Sequence, residues 1–429
     1  GTTILGSNPS APANNMLLIN NIKKFLFPFY KKKEIKQIFQ ILNANGNNNA
    51  MLVGGCVRNF LNNQKIYDID IATIFTPDEI VDKFSSSDYK IIKTGIEHGT
   101  ITLSKEGKNF EITTLRKDIT TDGRHAKVSY STDWEVDSER RDFTINAIYL
   151  DQRGKIFDPQ NGKKDLKDKK IKFIGDPQKR IQEDYLRIIR YLRFSLQYKD
   201  FHKDDETIKI IKKNLNGVLK LSKERIFMEL KKIINLENVT DVFLNKEINE
   251  IFEMIFPEFK YLGRIKGLDK EIYKKFLKND KNLFLSLLLV GDTDNHIYFG
   301  HKYKTSNQLK DYLNFINQNF IKAQKNKNFF KKDIKKNIYY NGKDKFLSFA
   351  KFYFILNYPK KFNKIKSMLD IINSINIPKF PITGKLLLDK GLKSGKKMGD
   401  VLKEIEKYWV ENNFSIDDEE LKNILKKHI

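Results

Sequence analysis

The chain has 429 residues, which is enough for two or more domains with buried cores. It carries 79 Lys and Arg residues against 54 Asp and Glu residues, and the net charge of +25 suits a polyanionic partner such as nucleic acid or an anionic membrane surface. The single cysteine, Cys56, excludes an internal disulfide framework and a zinc site made of several cysteines.

The N-terminal residues and the hydropathy of the chain bear on its cellular location. No apolar run is long enough for a transmembrane helix, so no membrane partner is expected. Residues 1–15 are small and polar and precede Met16, and we expect them to be a leader outside the folded domains. Together with the low cysteine content, this predicts a reducing, cytoplasmic location.

A glycine turn follows the first strand pattern. Residues 50–53 (Ala-Met-Leu-Val) predict a short buried strand that runs into Gly54 and Gly55. Paired glycines let the backbone approach a ligand closely, and the free amide groups of the helix that begins there face the same place. Arg58 adds a forked cation suited to phosphate. Paired glycines after a strand often form only a tight turn, so the motifs nearby decide whether this turn binds a ligand.

Two aspartates follow on the next strand pattern. Residues 67–73 (Tyr-Asp-Ile-Asp-Ile-Ala-Thr) alternate between apolar and acidic residues, which is the period of a strand. Asp68 and Asp70 therefore share one face, while Ile69 and Ile71 point into a core. Two carboxylates on one face repel each other unless a cation lies between them, and such oxygen ligands suit Mg²⁺. The alternative is a solvated strand face, and the nearby glycine turn favours the metal site.

The rest of the first half alternates between strands and loops. The next predicted elements are one helix and three strands, at residues 77–84, 89–93, 100–103 and 110–116. Glu111 in the last strand could join the aspartate pair as a third carboxylate, although a strand Glu is more often solvated. Residues 117–134 are polar without a clear period and predict a mobile loop. The arginines of Arg140-Arg141-Asp142 form either a surface ion pair or a contact to a phosphate or ribose.

Helical patterns replace strand patterns from Ile171 onward. A single helix is predicted over 182–198, and its charged residues step by three: Asp184, Arg187, Arg190 and Arg193. A charged row on an otherwise apolar helix is costly unless something satisfies it. The alternative is an internal Asp–Arg ladder on a half-exposed helix. Ser222 is the predicted N-cap of a further helix.

These motifs together resemble the class II tRNA nucleotidyltransferases, which are the CCA-adding enzymes, and their relatives the bacterial poly(A) polymerases. The resemblance covers residues 50–230 closely and returns at 380–402. It implies that Asp68 and Asp70 are the catalytic, Mg²⁺-binding pair. It implies that the nucleotide is bound by Gly54, Gly55, Arg58, Arg141, Asp184, Arg187, Arg190 and Arg193. Arg124 would belong to a flexible loop, and Asn59 stands where the family usually has Asp.

The resemblance also implies a fold class. It is an α/β N-terminal nucleotidyltransferase head, with a small mixed sheet and helices, followed by an all-α neck, body and tail. The expected boundaries are a head at 16–157, a neck that recognises the base at 158–232, a body at 233–376 and a tRNA-binding tail at 377–429.

The implied activity is template-independent addition of CCA to the 3′ end of tRNA, with CTP and ATP as substrates. Residues 93–100 are similar to the CCA-adding type rather than to poly(A) polymerases, and the loop at 117–134 argues against enzymes that add only the two C residues. An enzyme that adds only the final A, or a poly(A) polymerase, remains an alternative. A non-catalytic RNA-binding protein is the alternative from a different class. The expected partners are the tRNA 3′ end, CTP and ATP, and the oligomeric state is left open.

Overall fold

The computed structural model describes residues 28–121, 126–198, 200–237, 239–240 and 245–428. The chain divides into two compact units, the first ending near residue 242 and including 250–255, and the second comprising 243–249 and 256–429. The predicted head and neck fall in the first unit, and the predicted tail and most of the predicted body fall in the second, while residues 233–242 and 250–255 of that body belong to the first. The four-part division stays a prediction, and both Arg124 and the expected leader lie outside the described residues.

Nine strands form two sheets among the described residues of the first unit. They are β1 (Ala50–Val53), β2 (Ile69–Thr73), β3 (Lys90–Gly95), β4 (Thr100–Lys105), β5 (Lys108–Thr114), β6 (Arg116–Thr121), β7 (Ala126–Tyr130), β8 (Tyr149–Leu150) and β9 (Ile156–Phe157). Seven of them form one sheet in the order β3-β4-β5-β2-β1-β8-β9, and β6 pairs with β7 separately. The pairing of β2 with β5 is parallel and the other pairings are antiparallel. The predicted mixed sheet is confirmed.

The helices of the first unit cover the sheet and then continue beyond it. Their bounds are Lys33–Leu42, Gly55–Leu61, Pro77–Phe84, Trp134–Glu139, Gly162–Lys167, Pro177–Glu183, Leu186–Gln197, Asp205–Asn214 and Lys223–Ile234. The helix at Pro77 starts where its sequence requires, because Thr76 and Glu79 form a reciprocal capping box ahead of the proline. Ser222 caps the last helix, as predicted, by accepting a hydrogen bond from the Arg225 amide.

The strand alternation places apolar side chains on both faces of the sheet. On one face, Ile71 of β2 packs in a cluster with the helices Lys33–Leu42 and Pro77–Phe84. On the other face, Met51 and Ala72 belong to a smaller cluster with Tyr149. Ile71 is fully buried, which confirms the predicted inward face of β2. Asp70 lies between Ile69 and Ile71 in sequence and so belongs to the opposite face.

The described part of the second unit consists of helices and the segments that connect them. Its longer helices are Lys281–Leu289, Asn295–Lys302, Asn307–Lys325, Ile334–Asn341, Lys343–Asn357, Phe362–Ser374, Gly384–Asp389, Lys396–Glu411 and Asp418–Leu425, with short helical turns at Lys270–Ile272 and Tyr273–Leu277. The helix Lys246–Ile255 is shared between the two units. Phe346 and Phe349 are fully buried among other aromatic rings. Among the described helices, none combines the length and apolarity that a membrane span requires.

The structure contradicts the loop prediction made for the first unit. Residues 117–134, predicted as a loop without secondary structure, contain most of the β6–β7 pair and the start of the helix Trp134–Glu139. The two strands pair from Arg116–Tyr130 to Thr121–Ala126 with one irregularity. A two-stranded ribbon buries little apolar surface, so its residues need not alternate between apolar and polar, and the sequence gives no period to detect.

Candidate active site

The turn after β1 brings the backbone next to the acidic strand. Gly54 has φ 74° and ψ −130°, a conformation that L side chains rarely adopt. A Cβ atom at Gly54 would lie 3.6 Å from Asp70 Oδ2 and 3.9 Å from Arg141 Nη1. Gly54 therefore brings the predicted phosphate-binding turn next to the predicted metal-binding pair. Arg141 also lies beside Gly54, which the residue pattern around Gly54 does not indicate.

Arg58 is buried and held from several sides. Its Nε donates to the Tyr198 hydroxyl (2.7 Å), its Nη1 donates to Asn146 Oδ1, and its Nη2 donates to Asn59 Oδ1 (3.2 Å). The guanidinium also stands 4.9 Å from the centre of the Phe194 ring. Asn59, where the resembled family usually has Asp, still orients Arg58 through its amide oxygen, so the lost charge does not leave the guanidinium unsupported.

Asp68 and Asp70 line the same cavity, as the strand alternation predicted. Asp68 immediately precedes β2, and Asp70 lies within it beside Glu111 of the parallel strand β5. Burial, together with the charges of Glu111 and Asp68, raises the pKa of Asp70 to about 6 against the opposing effects of Arg141 and Arg58. Asp70 therefore carries a negative charge that its protein neighbours do not fully compensate.

A divalent cation fits this uncompensated charge. Carboxylate oxygens are the ligands that Mg²⁺ prefers, and a cation there would relieve the repulsion that raises the pKa of Asp70. Within the described ranges, no three or more His, Cys, Asp or Glu side chains are arranged to hold a metal ion. The structure thus offers Asp68 and Asp70 as a pair, and Glu111 acts on Asp70 through its charge.

Arg140 and Arg141 converge on one buried carboxylate, Asp137. Arg140 Nη2 lies 2.7 Å from Asp137 Oδ1, and Arg141 Nη2 lies 3.0 Å from Asp137 Oδ2. The Tyr149 hydroxyl donates to Asp137 Oδ2 at 2.7 Å. Burial alone would raise the pKa of Asp137, but the charges of Arg141 and Arg140 and the hydroxyl hold it at about 2. Both arginines are thereby fixed, and both line the cavity.

Two further carboxylates anchor the arginine row. Asp142 Oδ2 accepts from Arg190 Nε at 2.6 Å, and its Oδ1 accepts from Asn146 Nδ2 at 2.9 Å. Glu229, which is 3% exposed, accepts from Arg193 Nε at 2.8 Å and lies 3.8 Å from Arg190 Nη1. Burial would raise the pKa of Glu229, but the charges of Arg193 and Arg190 outweigh it and lower the pKa. Each charge on this apolar helix is therefore paired, and the partners come from other elements.

The helix predicted over 182–198 is broken at Asp184. The structure has two helices, Pro177–Glu183 and Leu186–Gln197, and Asp184 between them has φ −152° and ψ 105°. Its Oδ1 accepts from the backbone N–H of the first residue of the second helix at 3.0 Å, and its Oδ2 pairs with Arg225 Nη2 at 2.8 Å. Asp184 and Arg187 therefore do not share a helical face, and Asp184 is held by Arg225 instead.

Arg187 is oriented by the end of the preceding helix. Its Nη1 donates to Glu183 Oε2 at 2.7 Å and to the Arg180 carbonyl at 2.8 Å. Only about a tenth of the Arg187 side chain is exposed. The side chain still lines the cavity, so a ligand there meets a guanidinium that is already positioned.

These elements enclose one cavity of about 670 Å³ within the first unit. Ten of the predicted site residues line it: Gly54, Gly55, Arg58, Asp68, Asp70, Arg141, Asp184, Arg187, Arg190 and Arg193. Among the described lining residues, nine are Lys or Arg and four are Asp, so the wall attracts polyanions. Glu111 does not line the cavity itself.

Sequence reasoning missed several residues of this cavity. Those that also line it include Tyr67, Arg116, Asn146 and Arg225, whereas Arg140 and Asp142 belong to the stretch for which the sequence offered a phosphate or ribose contact. Glu229, which anchors Arg193 without lining the cavity, had a readable signal, because it stands between Ile226 and Leu230 on the apolar face of its helix, where a carboxylate needs a partner. The others give no local signal, because their roles depend on residues far away in sequence.

Three family models match the chain. The Poly A polymerase head domain matches residues 50–172, the probable RNA and SrmB-binding site of polymerase A matches 200–262, and a putative tRNA nucleotidyltransferase domain 2 matches 277–425.

Curated relatives are similar over most of their length. The mouse protein CCA tRNA nucleotidyltransferase 1, mitochondrial, is 35% identical over 92% of this chain and 89% of its own. The CCA-adding enzyme of Ligilactobacillus salivarius is 33% identical over 88% of this chain and 92% of its own.

Solved structures share the fold. The Bacillus stearothermophilus CCA-adding enzyme in complex with CTP superposes with a TM-score of 0.72 at 23% identity, covering 92% of this chain and 98% of that one. The Thermotoga maritima CCA-adding enzyme complexed with tRNA superposes with a TM-score of 0.62 at 21% identity, covering 95% and 98%. The predicted α/β head followed by helical domains is confirmed at the level of the fold.

Proposed function

Since the chain belongs to the tRNA nucleotidyltransferase family of CCA-adding enzymes, we propose that the cavity of the first unit is the site where it adds CCA to the 3′ end of tRNA. The chain is an enzyme that transfers nucleotides from CTP and ATP without a nucleic-acid template. We assign the site on one observation. The pair Asp68 and Asp70, the glycine turn, and the side chains of Asp184 and Arg187 all line the same cavity.

The acidic pair would hold the metal ion. Nucleotidyl transfer of this kind uses a divalent cation, and we propose Mg²⁺, held by Asp68 and Asp70. When bound, it supplies charge that favours the attacking hydroxyl and the leaving phosphate oxygen. The part of the protein is to keep both carboxylates on one wall of the cavity, next to the backbone of Gly54, where an α-phosphate can approach without a side chain in the way.

The basic side chains bind and orient the triphosphate. Arg58 is fixed by Asn146 and Tyr198, and Arg141 is fixed by Asp137, so neither must lose much freedom when the nucleotide arrives. Forked guanidinium groups can each contact two phosphate or ribose oxygens. The excess of basic over acidic lining residues stabilises a ligand that carries several negative charges.

The base is selected by hydrogen bonding to protein groups. C and A carry an exocyclic amino group that a carboxylate can accept from, and a ring acceptor beside it that a guanidinium can donate to. Asp184 pairs with Arg225, and Arg187 pairs with Glu183. A carboxylate oxygen that already accepts one hydrogen bond can accept a second, so Asp184 can still bind the amino group of a base. Asp184 and Arg187 are therefore proposed as the base-reading pair, each positioned by a neighbour rather than by the other.

The extension assay tests the activity. Pure protein is incubated with a tRNA transcript that lacks its 3′ CCA, with CTP and ATP supplied singly and together. We expect two C residues from CTP alone and CCA from both nucleotides. Addition of A only to a tRNA ending in CC would show an A-adding enzyme, and long A tails would show a poly(A) polymerase. No incorporation under any condition would favour a non-catalytic RNA-binding protein.

The base-reading role is tested by Asp184→Ala. We expect selection of C and A over U and G to relax, because the carboxylate that accepts from the amino group is removed. The control is Glu206→Ala, which removes an exposed carboxylate that does not line the cavity. Equal loss of incorporation for all four nucleotides, with selectivity intact, would contradict the assignment.

The cytoplasmic location stays a prediction. The mouse relative carries the word mitochondrial in its name. Fractionation of cells with an antibody to this chain would separate the two locations.

A further inference from the structure

Tyr67 is an exposed aromatic ring at the mouth of the cavity. It is 73% exposed, the highest value among the large exposed apolar side chains in the described part of the chain. It immediately precedes Asp68 and lines the same cavity. A tyrosine ring exposed beside Asp68 contributes little to the core and is available to a ligand in the cavity.

The second aromatic residue of the cavity wall is already covered. Phe194 is 1% exposed, and the guanidinium groups of Arg58 and Arg193 stand 4.9 Å and 4.2 Å from its ring centre. By contrast, the contact recorded at the Tyr67 ring is the ammonium of Lys65, whose Nζ is 5.0 Å from the ring centre and whose side chain is itself exposed. Of the two rings, Tyr67 is the one that a planar ligand can reach.

We propose that Tyr67 is a stacking platform for the terminal base of the tRNA acceptor strand, and this inference rests on the proposed function. The attacking 3′-hydroxyl must come close to Asp68 and Asp70, and Tyr67 is the adjacent residue. The incoming base is assigned to Asp184 and Arg187, so the acceptor base needs another surface.

The order of additions favours stacking over hydrogen-bond reading at this place. The acceptor strand ends in an unspecified base before the first addition and in C before the second and third. A surface that reads base edges cannot serve all of these, whereas every base has a π-face that an aromatic ring accepts. Lys65, beside the ring, is placed to contact a phosphate of the same strand.

The experiment measures the coupling between the ring and the terminal base. Two tRNA acceptors lacking CCA are compared, one with its natural terminal base and one with an abasic terminal nucleotide, for wild type and for Tyr67→Phe, Tyr67→Leu and Tyr67→Ala. In wild type we expect kcat/KM for C addition to be about tenfold lower on the abasic acceptor, the scale of one base–aromatic stack. Tyr67→Phe keeps that ratio, while Tyr67→Leu and Tyr67→Ala bring it close to one, mainly through KM for tRNA.

The outcomes separate this inference from the function on which it rests. A wild-type protein that adds no nucleotide overturns both. A wild type that extends tRNA normally, together with a Tyr67→Ala variant that shows the same abasic ratio as wild type, overturns the stacking role alone. The stacking role is also wrong if Tyr67→Leu performs as well as Tyr67→Phe, or if Tyr67→Ala raises KM for CTP instead of KM for tRNA.

Discussion

Replacing Asp70 with Asn should stabilise the metal-free protein while abolishing its activity. The pKa of Asp70 rises from an ordinary 3.8 to about 6, first because of burial and then because of the nearby charges of Glu111 and Asp68. At about 1.4 kcal/mol per tenfold change, keeping this carboxylate ionised at neutral pH costs the folded state about 3 kcal/mol. Asn has nearly the same shape and carries no charge, so Asp70→Asn removes that cost.

The pH dependence fixes the sign of the effect. Because the pKa of Asp70 is higher in the folded state, the folded protein binds more protons than the unfolded protein between about pH 4 and pH 6. The contribution of Asp70 to the unfolding free energy therefore falls as pH rises through this window and stays constant above it. The advantage of Asp70→Asn should be about 3 kcal/mol at pH 7.5 and shrink to about a third of that at pH 4.5.

Urea denaturation followed by circular dichroism, with a chelator present, measures this difference. Asp68→Asn is the matched control, and because Asp68 is exposed we expect a much smaller gain from it. Adding Mg²⁺ should stabilise wild type and not Asp70→Asn. Equal unfolding free energies of Asp70→Asn and wild type at pH 7.5, or a gain that does not change with pH, would refute the reasoning.

Two other substitutions test how the site is held. Asp137→Ala leaves the largely buried Arg141 without its carboxylate and should lower the unfolding free energy by about 3 kcal/mol and raise KM for CTP; an unchanged urea midpoint would show that the pair is not structural. Gly162→Ala places a Cβ 2.0 Å from the Thr144 carbonyl oxygen and should destabilise the protein by about 1–3 kcal/mol in the same assay. Gly399→Ala, with nothing within 4 Å of its Cβ on a helix, is its control and should be neutral or stabilising by up to about 1 kcal/mol; equal effects of the two would contradict the packing argument.

The strand, the turn and the acidic pair could be predicted because their signals are local. The four-residue strand at 50–53 has the predicted bounds, and Gly54 after it takes the positive φ that a glycine turn suggested. Alternation over a few residues was enough to place Asp68 and Asp70 on one side. Such inferences need only neighbouring residues, so no tertiary knowledge was required.

The break at Asp184 could not be predicted, because it depends on a distant partner. The residues around it are compatible with a helix, and the spacing of three suggested one continuous row. Instead, the carboxylate caps the following helix and pairs with Arg225, which is 41 residues away. The alternative interpretation, in which the arginines are paired with acidic residues inside the protein, agrees better with the observed ion pairs. The acidic partners of Arg190 and Arg193 nevertheless lie outside the predicted row, 48 and 36 residues away in sequence.

The location of the only sulfhydryl group has a practical consequence. Cys56 is fully enclosed beneath the glycine turn, where its Sγ donates to the Val53 carbonyl, and burial raises the pKa of the thiol to about 12. Alkylating reagents are attacked by the thiolate and hardly by the thiol, so Cys56 of the folded protein adds little background labelling. Pairs of surface cysteines can therefore be introduced and labelled with fluorophores or spin labels without removing the native one. Distances inside the protein can then be followed while tRNA grows by one nucleotide at a time.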